Sequence, residues 1–186
     1  SLAKVNNKSV VDYFADKNKL YLVAAGRLIE QKGFEMLIEA IASVNNTEIK
    51  LAILGHGPLE NRLRKLVEHK GLQAQVILMG YQENPYQWIS RADAFVLSSF
   101  YEGFPNVVLE ALACRTPVIS SPAPGGTREI LENIDGCFLA RDVSVPGLVQ
   151  AIAAFSKSDR KEIGDEAIDL YVPEAICREY MRALFT

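Results

Sequence analysis

Five times along the chain a short apolar run ends in a turn and gives way to an amphipathic stretch, and this alternation narrows the fold more than any other feature. The runs lie at 21–25, 50–54, 76–79, 94–97 and 117–120. Each is too short for a buried helix and rich in the Val, Ile and Leu that pack between two layers. The stretches between them carry helical spacing. Over Phe34–Val44 the apolar positions Phe34, Leu37, Ile38, Ile41 and Ala42 form one face. Residues 59–69 make a charged amphipathic helix that Lys70 and Gly71 stop. Asn84 and Pro85 open a short helix carrying Tyr86 and Ile89, and Pro105 stands near the first turn of a helix over Asn106–Ala113. After the Pro- and Gly-rich loop 121–126, the spacing predicts a short helix over Thr127–Leu131, a sixth strand at 136–139, and two or three helices over 145–185.

Strand followed by helix, repeated, implies an α/β fold. The expectation is a Rossmann-like, doubly wound parallel sheet of about six strands, with helices on both faces. In such sheets ligands sit beyond the carboxyl ends of the strands. The segments to search are therefore 26–33, 55–58, 80–85, 98–106 and 121–127.

The bulk numbers exclude several classes. The chain has 186 residues, enough for one domain spanning 1–186 with its own core. A net charge of −3 gives no broad basic field for nucleic acid. Cys114, Cys137 and Cys177 form no C-x-x-C pair, so neither a zinc site nor a disulfide framework is expected. No apolar run approaches the roughly 20 residues that span a bilayer. There is no G-x-x-x-x-G-K-[ST], no G-x-S-x-G and no D-x-D. Gly55 and Gly57 supply a lone G-x-G without the third glycine, and the second strand ends in Leu54-Gly55 rather than an acidic residue, which speaks against a redox dinucleotide site.

The strand-end segments offer chemistry instead. Arg27 and Lys32, beside Gly26, can neutralise a diphosphate, the Arg by a two-pronged contact and the Lys as a point charge. The turn at Gly103, Phe104 and Pro105 delivers the chain to a helix that begins at Asn106 and Val107. The free N–H groups and positive dipole end there suit an anion. Glu102 precedes that helix and Glu110 lies one turn inside it, where carboxylates can accept hydrogen bonds from sugar or ribose hydroxyls. Taken singly, each of these has a plainer reading: a solvated basic pair, a capping Glu102, a surface Glu110, and a tight turn at Gly55, His56 and Gly57.

In order, however, these segments resemble the C-terminal half of GT-B fold glycosyltransferases, specifically the retaining "group 1" transferases of family 4. Gly26-Arg27-Leu28 with Lys32-Gly33 resembles that family's G-R-L…K-G segment, and Leu54 to Pro58 its L-G-x-G-P turn. Glu102-Gly103-Phe104-Pro105 through Glu110 resembles the E-x7-E signature, and Gly125 to Ile130 the segment after the fifth strand. The resemblance implies a domain that binds a nucleotide-diphospho-sugar, UDP-linked by preference, with no metal and no cofactor. It implies that Arg27 and Lys32 hold the diphosphate, that Glu102 meets sugar hydroxyls and that Glu110 meets the ribose. Gly26, Gly55, Gly57, Gly80, Tyr81, Gly103, Phe104, Pro105, Asn106 and Val107 would line the donor site. The acceptor, a glycan or lipid-linked saccharide, would bind a separate N-terminal domain, so a chain opening at Ser1 is expected to be one part of a larger cytoplasmic enzyme working at the inner membrane face. The alternatives are a degenerate nucleotide-binding module and a GT-B-like nucleotide-sugar epimerase.

Overall fold

The computed structural model describes residues 8–159, 163, 164 and 167. Six parallel strands form one sheet: β1 (Leu20–Ala25), β2 (Ile49–Leu54), β3 (Val76–Gly80), β4 (Ala94–Leu97), β5 (Val118–Ser120) and β6 (Phe138–Leu139). Their order across the sheet is β3-β2-β1-β4-β5-β6. Successive strands step outward from β1 in one direction as far as β3, and the chain then returns to β4 on the other side of β1. The loops after β1 and β4 thus meet at the switch point, the place where doubly wound sheets bind ligands.

Seven helices are described: α1 (Lys8–Tyr13), α2 (Phe34–Val44), α3 (Glu60–His69), α4 (Tyr86–Ile89), α5 (Asn106–Ala113), α6 (Thr127–Leu131) and α7 (Val145–Lys157). Alternation along the strands assigns each side chain to one of two cores. Leu20, Leu22 and Ala24 of β1, with Ile49, Leu51 and Ile53 of β2, pack beneath α2, α3 and α7. Val23 of β1, Ala52 and Leu54 of β2, and Phe95 and Leu97 of β4 face α1, α4, α5 and α6. Leu22, Leu37, Ile49 and Leu51 are wholly buried. Each such side chain contributes about 1.5–3 kcal/mol by leaving water.

The expected elements are present, with shifted ends. β1 begins at Leu20 because Leu20 lies opposite Ile49 and its N–H donates to Glu48 O at 2.9 Å. β5 begins at Val118 rather than at Pro117, which has no N–H to give, although Pro117 O accepts from Phe95 N at 2.8 Å. β6 shrinks to Phe138–Leu139, an edge strand with only Ile119 and Ser120 to pair against. The helix α1 is an addition. Its Val10 is buried, and Tyr13, with the following Phe14, joins an aromatic group with Tyr21 and Trp88 at centroid distances of 5.0–5.8 Å. Of the helices expected over 145–185, α7 is in place and the remainder lies outside the described residues.

Cys137 sits at the joint between β5 and β6, its Sγ accepting from Val118 N at 3.4 Å. Burial pushes its thiol up to about 11, against the smaller opposing effect of that N–H. At pH 8 the thiolate share is then roughly a thousandth, against roughly a quarter for a free cysteine. Iodoacetamide at pH 8 is expected to alkylate Cys137 at least ~100-fold more slowly than a free thiol. Mass spectrometry of the Cys137 peptide over a time course checks this, and labelling at the free-thiol rate contradicts it.

Candidate donor-binding site

Five strand-end loops interlock at the carboxyl edge of the sheet, and glycines are what allow them to. A Cβ built on Gly55 would stand 1.9 Å from Gly26 O, and one on Gly57 would stand 2.5 Å from Leu28 O. The loop after β2 therefore lies directly on the loop after β1. Leu28 N donates to His56 O at 3.0 Å, and Leu59 N to Leu28 O at 3.1 Å. On the other side, a Cβ on Gly33 would come within 2.1 Å of Ser98 O. Phe100 N donates to Gln31 O at 2.9 Å, Gln31 Nε2 to Tyr101 O at 3.0 Å, and Ser98 Oγ to Lys32 O at 2.8 Å. The loop after β5 closes the arrangement through Glu102 N to Pro124 O at 2.8 Å and Ser121 Oγ to Ser99 O at 2.7 Å.

Within this frame the charged residues take defined places. The stem of Lys32 runs over Gly26, with its Cγ, Cδ and Cε each 3.6 Å from where a Cβ would be. Its Nζ reaches across the switch point to both oxygens of Glu102, at 2.8 Å and 3.0 Å. Glu102 is the more enclosed partner, its side chain 6% exposed against 21% for Lys32. Ser99 Oγ also donates to Glu102 Oε1. Arg27 is exposed beside Gly26, so the two cations flank one glycine.

A cavity of about 310 Å³ opens next to this cluster, bounded by Gly26, Arg27, Gly55, His56, Tyr81 and Gln82, with Ala25, Leu54 and Pro85. Its walls are mainly apolar. The His56 and Tyr81 rings meet edge to face at 5.8 Å and 75°. Gln82 is fixed in one orientation: Trp88 Nε1, which can only donate, donates to Gln82 Oε1 at 3.1 Å, and Gln82 Nε2 donates to Met79 O at 3.0 Å. Glu110, half-buried on α5, faces α4. Its carboxylate is the main cause of the raised pKa of the Tyr86 hydroxyl, ahead of burial and Cys114.

The structure thus gathers Gly26, Arg27, Gly55 and Tyr81 around the cavity and joins Lys32 to Glu102 beside it. Gly57 packs against Leu28 rather than lining the cavity. Gly80, at φ 71°, accepts from Gly55 N through its carbonyl at 2.8 Å. Gly103 has nothing within 4 Å of a Cβ and needs no left-handed backbone. Phe104 is 52% exposed, and Pro105 precedes α5 with no side-chain cap on that helix. The residues that sequence reasoning passed over are Ser99, Gln82 and Gln31. Ser99 left one signal: a polar residue adjoining the apolar β4 run, at a point where burial demands a hydrogen-bond partner.

At the carboxyl edge of the sheet, Arg27, a cavity with mainly apolar walls and the Lys32–Glu102 ion pair therefore stand side by side. The chain belongs to the group 1 glycosyl transferases, whose family model matches residues 6–169. A glycosyltransferase of Methanocaldococcus jannaschii, MJ1059, is 43% identical over 117 residues, 62% of this chain and 29% of that protein. The N-acetylgalactosamine-N,N'-diacetylbacillosaminyl-diphospho-undecaprenol 4-alpha-N-acetylgalactosaminyltransferase of Campylobacter jejuni is 31% identical over 159 residues, 86% of this chain and 43% of that one. The chain therefore spans less than half the length of these curated relatives. Among solved structures, Anabaena Alr3699/HepE, crystallised with UDP and glucose, superposes with a TM-score of 0.80 at 20% identity, covering 100% of this chain and 54% of its own. The C-terminal domain of LpcC from Francisella tularensis gives 0.73 at 22% identity, with 92% and 94% covered. The fold is one Rossmann-like half of a GT-B glycosyltransferase.

Proposed function

We propose that this domain binds a nucleotide-diphospho-sugar, UDP-linked by preference, and presents it for metal-independent transfer with retention at the anomeric carbon. The observation that carries the reading is the convergence of Arg27, Lys32 and Glu102 at the rim of the cavity. The cavity suits the nucleoside. Arg27 and Lys32 suit the diphosphate, with the start of α5, which has no side-chain cap, adding the N–H of Val107; that of Asn106, expected to be free, donates to Phe104 O at 2.9 Å. Glu110 suits the ribose hydroxyls, and Glu102 the sugar. That a fold neighbour was crystallised with UDP and glucose supports the choice of base.

In the transfer, the bond between the anomeric carbon and the diphosphate oxygen breaks and the nucleoside diphosphate departs with the electron pair. An acceptor hydroxyl oxygen bonds to the carbon and gives up its proton to the departing diphosphate. This domain's part is to lower the energy of the charge developing on the leaving group through Arg27 and Lys32, placed in advance of the reaction. The acceptor, a glycan or lipid-linked saccharide, belongs in this reading to a second domain, and the whole enzyme to the cytoplasmic side of a membrane. Among the described residues no helix is long and apolar enough to cross one.

Calorimetric titration of the chain with UDP, GDP and ADP in EDTA tests this. Binding of one nucleoside diphosphate without a divalent ion is expected. Glu110→Ala is expected to weaken it by about 1.5 kcal/mol, roughly tenfold, for a lost hydrogen bond to a charged acceptor. A strict metal requirement, or a Glu110→Ala affinity equal to wild type, contradicts the reading.

A further inference from the structure

Ser98 and Ser99 follow β4 and Ser121 follows β5, and all three are buried. A hydroxyl taken out of water needs a partner. Ser98 and Ser121 donate to backbone carbonyls, those of Lys32 and Ser99. Ser99, wholly buried, donates instead to the Glu102 carboxylate.

The two oxygens of Glu102 are used unequally. Among the described residues, Oε1 accepts from both Ser99 Oγ and Lys32 Nζ, whereas Oε2 accepts from Lys32 alone at 3.0 Å. A carboxylate oxygen has two lone pairs, so Oε2 keeps the greater capacity for a further donor. The main chain of Glu102 is fixed independently, by its N–H on Pro124 O and by Gly125 against its carbonyl. What remains to be set is the direction of the carboxylate. Lys32 cannot hold it alone once a diphosphate offers that ammonium a stronger partner. Ser99 is neutral and wholly buried, so a diphosphate does not compete for its bond to Oε1.

We propose that Ser99 is a positioning residue: by holding Glu102 Oε1 it presents Oε2 to a hydroxyl of the donor sugar, so that the domain's affinity for a nucleotide-sugar, relative to the bare nucleoside diphosphate, passes through Ser99. This rests on the donor reading above. The test is titration of wild type, Ser99→Ala, Glu102→Ala and the double variant with UDP and with UDP-glucose or UDP-N-acetylglucosamine, whichever sugar nucleotide wild type takes. Ser99→Ala is expected to leave UDP affinity within about twofold and to weaken the sugar nucleotide about tenfold. On the Glu102→Ala background, Ser99→Ala is expected to add nothing. Ser99→Cys, close to isosteric and a weaker donor, is expected to fall between and covers the case in which the alanine variant does not fold. Equal losses for UDP and UDP-sugar mean a purely structural serine and overturn the proposal. So does a Ser99→Ala loss that persists undiminished without Glu102. If wild type binds UDP but Glu102→Ala does not shift the UDP-sugar to UDP ratio, this inference fails and the diphosphate reading stands. If wild type binds no nucleotide, the donor reading fails and takes this one with it.

Discussion

Lys32→Ala is expected to lower the stability of this domain by about 2–3 kcal/mol, although the residue ends only a short 3-10 turn, Glu30–Lys32. The reason lies in its partner. Glu102 has a side chain only 6% exposed, and Lys32 reaches both of its oxygens. Removing the ammonium leaves an enclosed carboxylate with Ser99 as its remaining side-chain donor. Stranding one member of a buried pair costs about 3–5 kcal/mol, and the partial exposure of Lys32 and the Ser99 bond put this case below that range. For a chain of this size the melting temperature should fall by roughly 5–10 °C. Changing both partners, as Lys32→Met with Glu102→Gln, should recover most of that loss, because no uncompensated charge remains. It should not recover nucleotide binding, since the cation proposed to meet the diphosphate is gone. Thermal melts with parallel titrations separate the two effects. A Lys32→Ala variant that melts with wild type would show that the ion pair contributes nothing to the fold.

This coupling also marks where sequence reasoning stops. The strands were legible because the apolar runs are short and the first three end at Gly26, Gly55 and Gly80, and the parallel order followed from the helices between them. Helix α1 was not legible: Lys8–Tyr13 is too short to display a period, and what holds it is Val10 and Tyr13 packing among residues far along the chain. Arg27, Lys32, Glu102 and Glu110 could be named because their motifs fall at strand ends. That Lys32 and Glu102 would touch could not, since 70 residues separate them and only the adjacency of β1 and β4 brings them together. The same holds for the glycines. Gly57 reads as a ligand-facing turn in one dimension, and its closest neighbour proves to be the Leu28 backbone. Which glycine serves the fold and which leaves room for a ligand is a fact about neighbouring loops.

Gly125 and Gly103 turn that distinction into an expected result. Gly125 has φ 114°, and a Cβ there would stand 1.9 Å from Glu102 O, 2.6 Å from Glu102 C and 2.9 Å from Gly103 O. All three are backbone atoms, so no side chain can rotate away. Left-handed strain costs about 1–2 kcal/mol for a residue with a Cβ, and forcing packed backbone apart costs typically about 1–3 kcal/mol. Gly125→Ala is therefore expected to destabilise by about 3 kcal/mol. The loop after β5 can yield only by pulling Pro124 O from Glu102 N, which loosens the carboxylate from its place. Gly103→Ala is the control, since nothing lies within 4 Å of its Cβ and its φ is ordinary. That variant should melt with wild type. Yet if the diphosphate approaches the start of α5 as proposed, the added methyl group should weaken UDP binding, because it occupies space that the fold leaves open at the rim. Gly125→Ala melting with wild type would show that the loops after β4 and β5 are not locked together. Gly103→Ala binding UDP with wild-type affinity would move the ligand away from this turn.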